Sequence, residues 1–264
     1  MKLKIYQVDA FTDKIFSGNP AAVIPLNEWL ADQTLQNIAA ENNLAETAFY
    51  IPLPGDGDGR FHLRWFTPEN EVDLCGHATI ASAFVLYHQE NFSGEEIIFE
   101  SKSGKLTVRK SGDNFVLNFP AYSLNPAEAT NDVLNAIGKI PSEVFSMNND
   151  LMLVYHDQAT LQMIKPDFGK LKQCAARAVL ITAPSDEADF VYRFFAPKMG
   201  IDEDPATGSA QCSLIPYWSM RLSKNILSSI QLSKRKGILK GELISNRVEI
   251  SGKAVLYLKG EIDV

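Results

Sequence analysis

Apolar and polar residues alternate with a period of two along most of the chain, the signature of strands that bury one face. Residues 3–9 read as a first strand, and Phe16-Ser17-Gly18-Asn19-Pro20 reads as a loop entering a second at 22–25. A helix is predicted from Glu28, capped by Asn27, with Leu30, Leu35 and Ile38 on one side and an end near Asn42-Asn43. Residues 44–51 and 61–66 read as a hairpin across the turn-forming stretch Pro54-Gly55-Asp56-Gly57-Asp58-Gly59. The Ala-rich segment 79–88 is apolar enough for a buried helix, and strands follow at 96–100, 105–110 and 114–119, closed by Pro120. The second half repeats the style. It has a short helix at 131–138, strands at 150–155, 178–183 and 189–195, a helix at 210–221, and strands at 228–232, 239–244, 247–251 and 254–259.

That repetition extends to the residues themselves. Arg64-Trp65-Phe66-Thr67-Pro68 answers Arg193-Phe194-Phe195-Ala196-Pro197, and each is followed by an acidic stretch, a glycine and a helix of small residues. Two halves of similar fold are expected, residues 1–120 and 121–253, with the C-terminal strand 254–264 a candidate to join the first.

Composition then removes whole classes of function. The 264 residues are 45% hydrophobic and 22% charged, the balance of an ordinary folded chain rather than a disordered one. A net charge of -7, with no basic run longer than Lys234-Arg235-Lys236, argues against a nucleic-acid partner. The N-terminus reads as a strand rather than a signal peptide, and no uncharged apolar run approaches a membrane span, so neither secretion nor a membrane partner is expected. The three cysteines, Cys75, Cys174 and Cys212, form no C-x-x-C pair; a reducing cytoplasm and no metal site are the expectations. The signatures of zinc proteases, P-loop enzymes, serine hydrolases and Rossmann dehydrogenases are also absent from the sequence.

Candidate chemistry gathers at the two repeated turns. Helices launched near Gly76-His77-Ala78-Thr79 and Thr207-Gly208-Ser209-Ala210 present unpaired N–H groups and a positive dipole end. Two such ends meeting across a cleft between the halves would grip a carboxylate. His77, placed at a helix start, is expected to have a lowered pKa and so to donate or accept a proton near neutrality. The alternative for His77, and for Asp204 before Pro205, is a structural cap. Glu46 interrupts an apolar stretch, Leu44 to Tyr50; it is either a desolvated carboxyl tuned for proton transfer or a residue on a strand's wet face. Cys75 is either a thiolate activated by the helix end or a small buried hydrophobe.

Taken together, Tyr6-Gln7-Val8-Asp9-Ala10-Phe11-Thr12, Ser17-Gly18-Asn19-Pro20-Ala21-Ala22-Val23, Leu44-Ala45-Glu46-Thr47-Ala48-Phe49, Cys75-Gly76-His77-Ala78-Thr79 and Asp204-Pro205-Ala206-Thr207-Gly208-Ser209-Ala210 resemble the PhzF family of phenazine-biosynthesis-like proteins. The resemblance implies an α+β, diaminopimelate-epimerase-like fold. In it, two similar domains each wrap a curved, mostly antiparallel sheet around a central helix, with the active site in the interdomain cleft. It implies a homodimeric, cofactor-independent isomerase that shifts a proton in a small carboxylate-bearing molecule such as dihydro-hydroxyanthranilate. Glu46 then matches the acid/base residue, and His77, Asp204 and Ser209 match its supporting catalytic groups. Gly76 and Gly208 supply helix-end donors to the substrate, and Asn19 lies in a motif near the site. Related racemases carry a cysteine in each half, whereas here Thr207 stands where the second would fall. The rivals are a Cys75-dependent amino-acid racemase or epimerase and a binding protein without catalysis.

Overall fold

A computed structural model of the chain describes residues 1–55, 59–147 and 149–264. Two compact units emerge, residues 1–118 with 250–264, and residues 119–249. The predicted turn residues Asp56, Gly57 and Asp58 lie outside the described residues.

The first unit runs β1 (Lys2–Ala10), β2 (Asn19–Pro25), α1 (Asp32–Asn42), β3 (Glu46–Pro52), β4 (Arg60–Phe66), β5 (Glu71–Val72), α2 (Gly76–His88), β6 (Glu96–Ser101), β7 (Gly104–Ser111) and β8 (Asn114–Pro120). The second begins with β9 (Asn125–Pro126) and α3 (Asn131–Ile137), then β10 (Glu143–Met147), β11 (Asp150–Val154), α4 (Gln158–Met163), α5 (Phe168–Gln173), β12 (Val179–Pro184) and β13 (Phe190–Phe195). It continues through a 3-10 turn at Pro197–Met199 to α6 (Gln211–Leu222), β14 (Ile226–Gln231), β15 (Gly237–Ile244) and β16 (Arg247–Gly252). The last strand, β17 (Ala254–Asp263), returns to the first unit and pairs antiparallel with β1 from Lys2↔Asp263 to Ala10↔Ala254.

Both units follow one plan. In the first, β2/β3 is parallel, β3/β4 antiparallel, β4/β6 parallel and β6/β7 antiparallel. In the second, β11/β12, β12/β13, β13/β14 and β14/β15 repeat that order. Parallel neighbours need a crossover connection, and helices fill it at matching places: α1 or α4–α5 in the first crossover, α2 or α6 in the second. The repeated arginines explain why the motif recurs. Arg64 is bidentate to Glu71 at 2.7 and 3.0 Å, and Arg193 is bidentate to Glu203 at 2.7 and 3.0 Å. Each guanidinium also lies over the phenylalanine two residues on, at 5.1 Å from Phe66 and 4.9 Å from Phe195. A planar cation pinned between a fork of two oxygens and an aromatic face locks the loop after the strand to the strand itself.

The second crossover helix of each unit is buried on nearly every side. In α2 the run His77 to Ala83, with Val85 and Leu86, is buried, and the helix packs on β1, β2, β3 and β17. The small residues of this run allow close approach of backbone all round. In α6, Gln211 to Ile215 and Tyr217 to Ser219 are buried; Trp218 stacks on Phe190 at 5.5 Å and donates to Thr182 Oγ1 at 3.0 Å. A core cluster of the second unit gathers Val133, Leu153, Leu161, Ile181, Val191 and Phe195.

Several elements depart from expectation. The first helix starts at Asp32, with Ala31 rather than Asn27 at its N-cap. Residues 26–31 stay outside the helix because other partners hold them: Leu26 N–H donates to Tyr50 O at 2.9 Å, and Trp29 Nε1 donates to His62 Nδ1 at 3.1 Å. Helix α2 begins three residues early, at Gly76. Strand β10 and helices α4 and α5 were not expected; the two helices start on aspartate caps, Asp157 accepting from Thr160 N–H at 2.7 Å and Asp167 from Lys170 N–H at 3.0 Å. Among the described residues no helix is long and apolar enough to cross a membrane.

Candidate active site

Glu46 is the first residue of β3, beside Ala21 of β2, and its side chain is 12% exposed, so it does not sit on a wet strand face. Its Oε2 lies 3.1 Å from Nε2 of His77, the second residue of α2. On the other side of the ring, Cys75 Sγ is 3.5 Å from His77 Nδ1. The imidazole thus stands between a thiol and a carboxyl, in a chain running from the N-cap of α2 to the start of β3. The approach of Glu46 to His77 lacks hydrogen-bond alignment, and both Oε2 and Nε2 are buried without a hydrogen-bond partner. Buried polar atoms are normally satisfied, and these two face each other only at ion-pair distance.

The electrostatics reverse one expectation. The helix terminus was expected to lower the His77 pKa; in the structure it is held well above the usual imidazole range. Burial works to lower it, but the Cys75 sulfur and the Glu46 carboxylate, one at each nitrogen, outweigh burial. Cys75 is itself pushed up to about 11 by burial and by the Glu46 charge, and is a thiol at neutral pH. Of the two groups beside the ring, Glu46 sits on β3, where a reading of the helix alone could not see it.

Glu46, Cys75 and His77 also bring a carboxylate, a sulfur and a ring nitrogen within 4.8 Å of one another, a donor set that could be read as metal-binding. Sulfur and carboxylate approach opposite nitrogens of one ring, however.

In the second unit, Asp204 lies in the loop before α6, and its Oδ2 accepts a short hydrogen bond from the Thr207 hydroxyl. Gly208 is buried; Ser209 is exposed in the turn that leads into α6. Gly76 is the first residue of α2, whose N-cap, Cys75, makes no side-chain capping bond. Asn19 is fully buried at the start of β2, opposite Ala10 of β1. It follows Gly18, whose φ of +63° and 2.1 Å separation between an added Cβ and Ala10 O leave room only for glycine. Sequence reasoning missed Gln231 and Tyr192, which hold the Asp204 loop from β14 and β13; both look like ordinary positions of alternating strands. A cavity of about 510 Å³ lined by Tyr50, Arg60, Glu90 and Phe92 contains none of the candidate residues.

The family profile described as phenazine biosynthesis-like protein, PhzC-PhzF, matches residues 8–260. The chain belongs to the PhzF family. Within it, the chain is 48% identical over 262 residues to the uncharacterized isomerase PA2770 of Pseudomonas aeruginosa, with 99% of each chain covered. A solved PhzF-family structure from Enterococcus faecalis superposes with a TM-score of 0.95 at 44% identity, covering 100% of both chains. The predicted epimerase PA4716 of Pseudomonas aeruginosa shares the fold alone, at a TM-score of 0.75 and 20% identity over 98% of this chain and 99% of that one. The α+β, diaminopimelate-epimerase-like fold expected from the sequence is the one observed, and the PhzF family to which the chain belongs is a family of isomerases.

Proposed function

We propose that this PhzF protein isomerises a small, amino-acid-like carboxylate of the dihydro-hydroxyanthranilate type without a cofactor. Glu46 takes a proton from one substrate carbon and returns it to another. The electron pair left behind moves through the adjacent double bond, so that no proton is lost overall and the product is an isomer. His77, 3.1 Å from Glu46 Oε2, is the proton partner of that carboxyl during the transfer. The N–H groups at Gly76, which starts α2, and at Gly208–Ser209, in the turn before α6, bind the substrate carboxylate or the charge that develops on it. Asp204 orients the substrate amine or hydroxyl, and Asn19 shapes the loop next to Glu46.

The observation that supports this reading best is the facing pair of Glu46 Oε2 and His77 Nε2, 3.1 Å apart, both buried and both without a hydrogen bond. The Cys75-dependent racemase is the weaker reading, because Cys75 is buried and held as a thiol. Family resemblance further supports a homodimer in the cytoplasm, which light scattering and cell fractionation test. The catalytic reading is tested by proton NMR in deuterated buffer, with dihydro-hydroxyanthranilate and a panel of small amino and hydroxy acids. Deuterium uptake into one compound supports it. Ligand-induced thermal stabilisation with no exchange in any bound compound would make the protein a binder instead.

A further inference from the structure

The loop that carries Asp204 has no regular hydrogen-bonding ladder, so its backbone polar groups need other partners. One buried side chain supplies two of them. Gln231 ends β14, is fully buried, and faces Tyr192 of β13 and Gly237 of β15 in register. Its Oε1 accepts from Thr207 N–H at 2.6 Å, and its Nε2 donates to Asp204 O at 2.5 Å and to Thr207 Oγ1 at 3.2 Å. Both N–H groups and the carbonyl of the amide are thereby engaged. Turning the amide over would set its nitrogen against the Thr207 N–H and its oxygen against the Asp204 carbonyl, so the network fixes its orientation.

A consequence follows for the Thr207 hydroxyl, which has one proton. Because that oxygen accepts from Gln231, its own proton is directed to the partner left, Asp204 Oδ2. Neighbouring groups serve the same segment: Tyr192 OH donates to Thr207 O at 3.3 Å, and Ser233 Oγ donates to Pro205 O at 2.6 Å. Gly237, opposite Gln231, lets Ala206 come so close that an added Cβ would sit 2.5 Å from the Ala206 methyl. Two facing positions of the β14/β15 pair are thus shaped around the Asp204 loop.

We propose that Gln231 is a positioning residue of the active site, fixing the Asp204–Thr207 backbone and turning the Thr207 hydroxyl onto the Asp204 carboxyl. The inference rests on the reading of Asp204 as a substrate-orienting group. It is tested in the full-length protein with Gln231→Met, Thr207→Val and the double variant, followed by deuterium uptake into dihydro-hydroxyanthranilate and by amide exchange in ¹⁵N NMR. Each single variant should lower kcat by about a hundredfold, as expected for a misplaced catalytic group. The double variant should be no worse than the weaker single, because both changes break one relay. Multiplying losses, or a kcat within twofold of wild type in Gln231→Met, overturn the proposal. Gln231→Met should also speed Thr207 amide exchange at least tenfold while the β1/β17 amides stay protected. Unchanged Thr207 exchange overturns the proposal whether or not the compound is turned over, whereas a wild type silent on the compound counts against the substrate reading alone. Should Gln231→Met not fold, Thr207→Val decides the hydroxyl relay: undiminished kcat with Thr207→Val overturns it.

Discussion

The ion-pair cluster at Glu71 gives the fold a defined acid sensitivity. Arg64 reaches Glu71 through two hydrogen bonds, and Lys102 adds a third at 2.5 Å. The Arg64 guanidinium holds the Glu71 carboxyl at about 2 instead of 4.5; burial opposes it and Lys102 adds to it. Because the folded-state pKa is depressed, the stabilisation is fully present above pH 4.5 and is lost as pH falls through about 2. At about 1.4 kcal/mol per pK unit the difference is worth about 3 kcal/mol, and solvent around the half-exposed Lys102 brings it to about 2–3 kcal/mol. Glu71→Gln also leaves Arg64, 13% exposed, with only the exposed Asp32 as a charged partner. Urea unfolding of wild type and Glu71→Gln at pH 7, 5 and 3 should show a gap of about 2–3 kcal/mol at pH 7 that shrinks to less than half by pH 3. A gap that is the same at every pH, or below about 0.5 kcal/mol at pH 7, would refute the electrostatic reasoning.

Two further outcomes are expected. Gly18→Ala must move Ala10 O or the turn at φ +63°, so it should destabilise by roughly 3 kcal/mol or more and lower Tm by about 6–12 °C in calorimetry; an unchanged Tm contradicts the close approach. Cys75, buried and with its pKa near 11, should resist iodoacetamide at pH 7.5 in the native protein and react once urea unfolds it. Fast native alkylation followed by mass spectrometry would instead favour a thiolate at the helix start.

Much of the fold is legible along the chain because its strands alternate and its motif repeats. Arg64 and Arg193 could be matched from spacing alone, and the structure gives both the same fork onto a glutamate. What stayed hidden depends on contacts distant in sequence. Asn27 has the chemistry of a cap, yet Leu26 and Trp29 are held by Tyr50 and His62, which delays the helix to Asp32. The six-residue helices α4 and α5 are too short to show a period, although their aspartate caps were available as signals. His77 could be placed at a helix start, but the sign of its pKa shift depends on Cys75 and on Glu46, the latter thirty-one positions away in the chain and 3.1 Å away in space. Gln231 reads as one polar residue of an alternating strand, and only the path of the Asp204 loop gives its amide a purpose.

The most direct test of the account is deuterium uptake into dihydro-hydroxyanthranilate, followed by proton NMR with wild type and Glu46→Gln side by side. The amide keeps the shape of the side chain and cannot accept the proton. The account predicts that Glu46→Gln loses about a thousandfold or more in kcat, within the range ascribed to a positioned general base, while KM stays within a few-fold. Exchange at the wild-type rate in Glu46→Gln would contradict the assignment of Glu46 as the group that moves the proton.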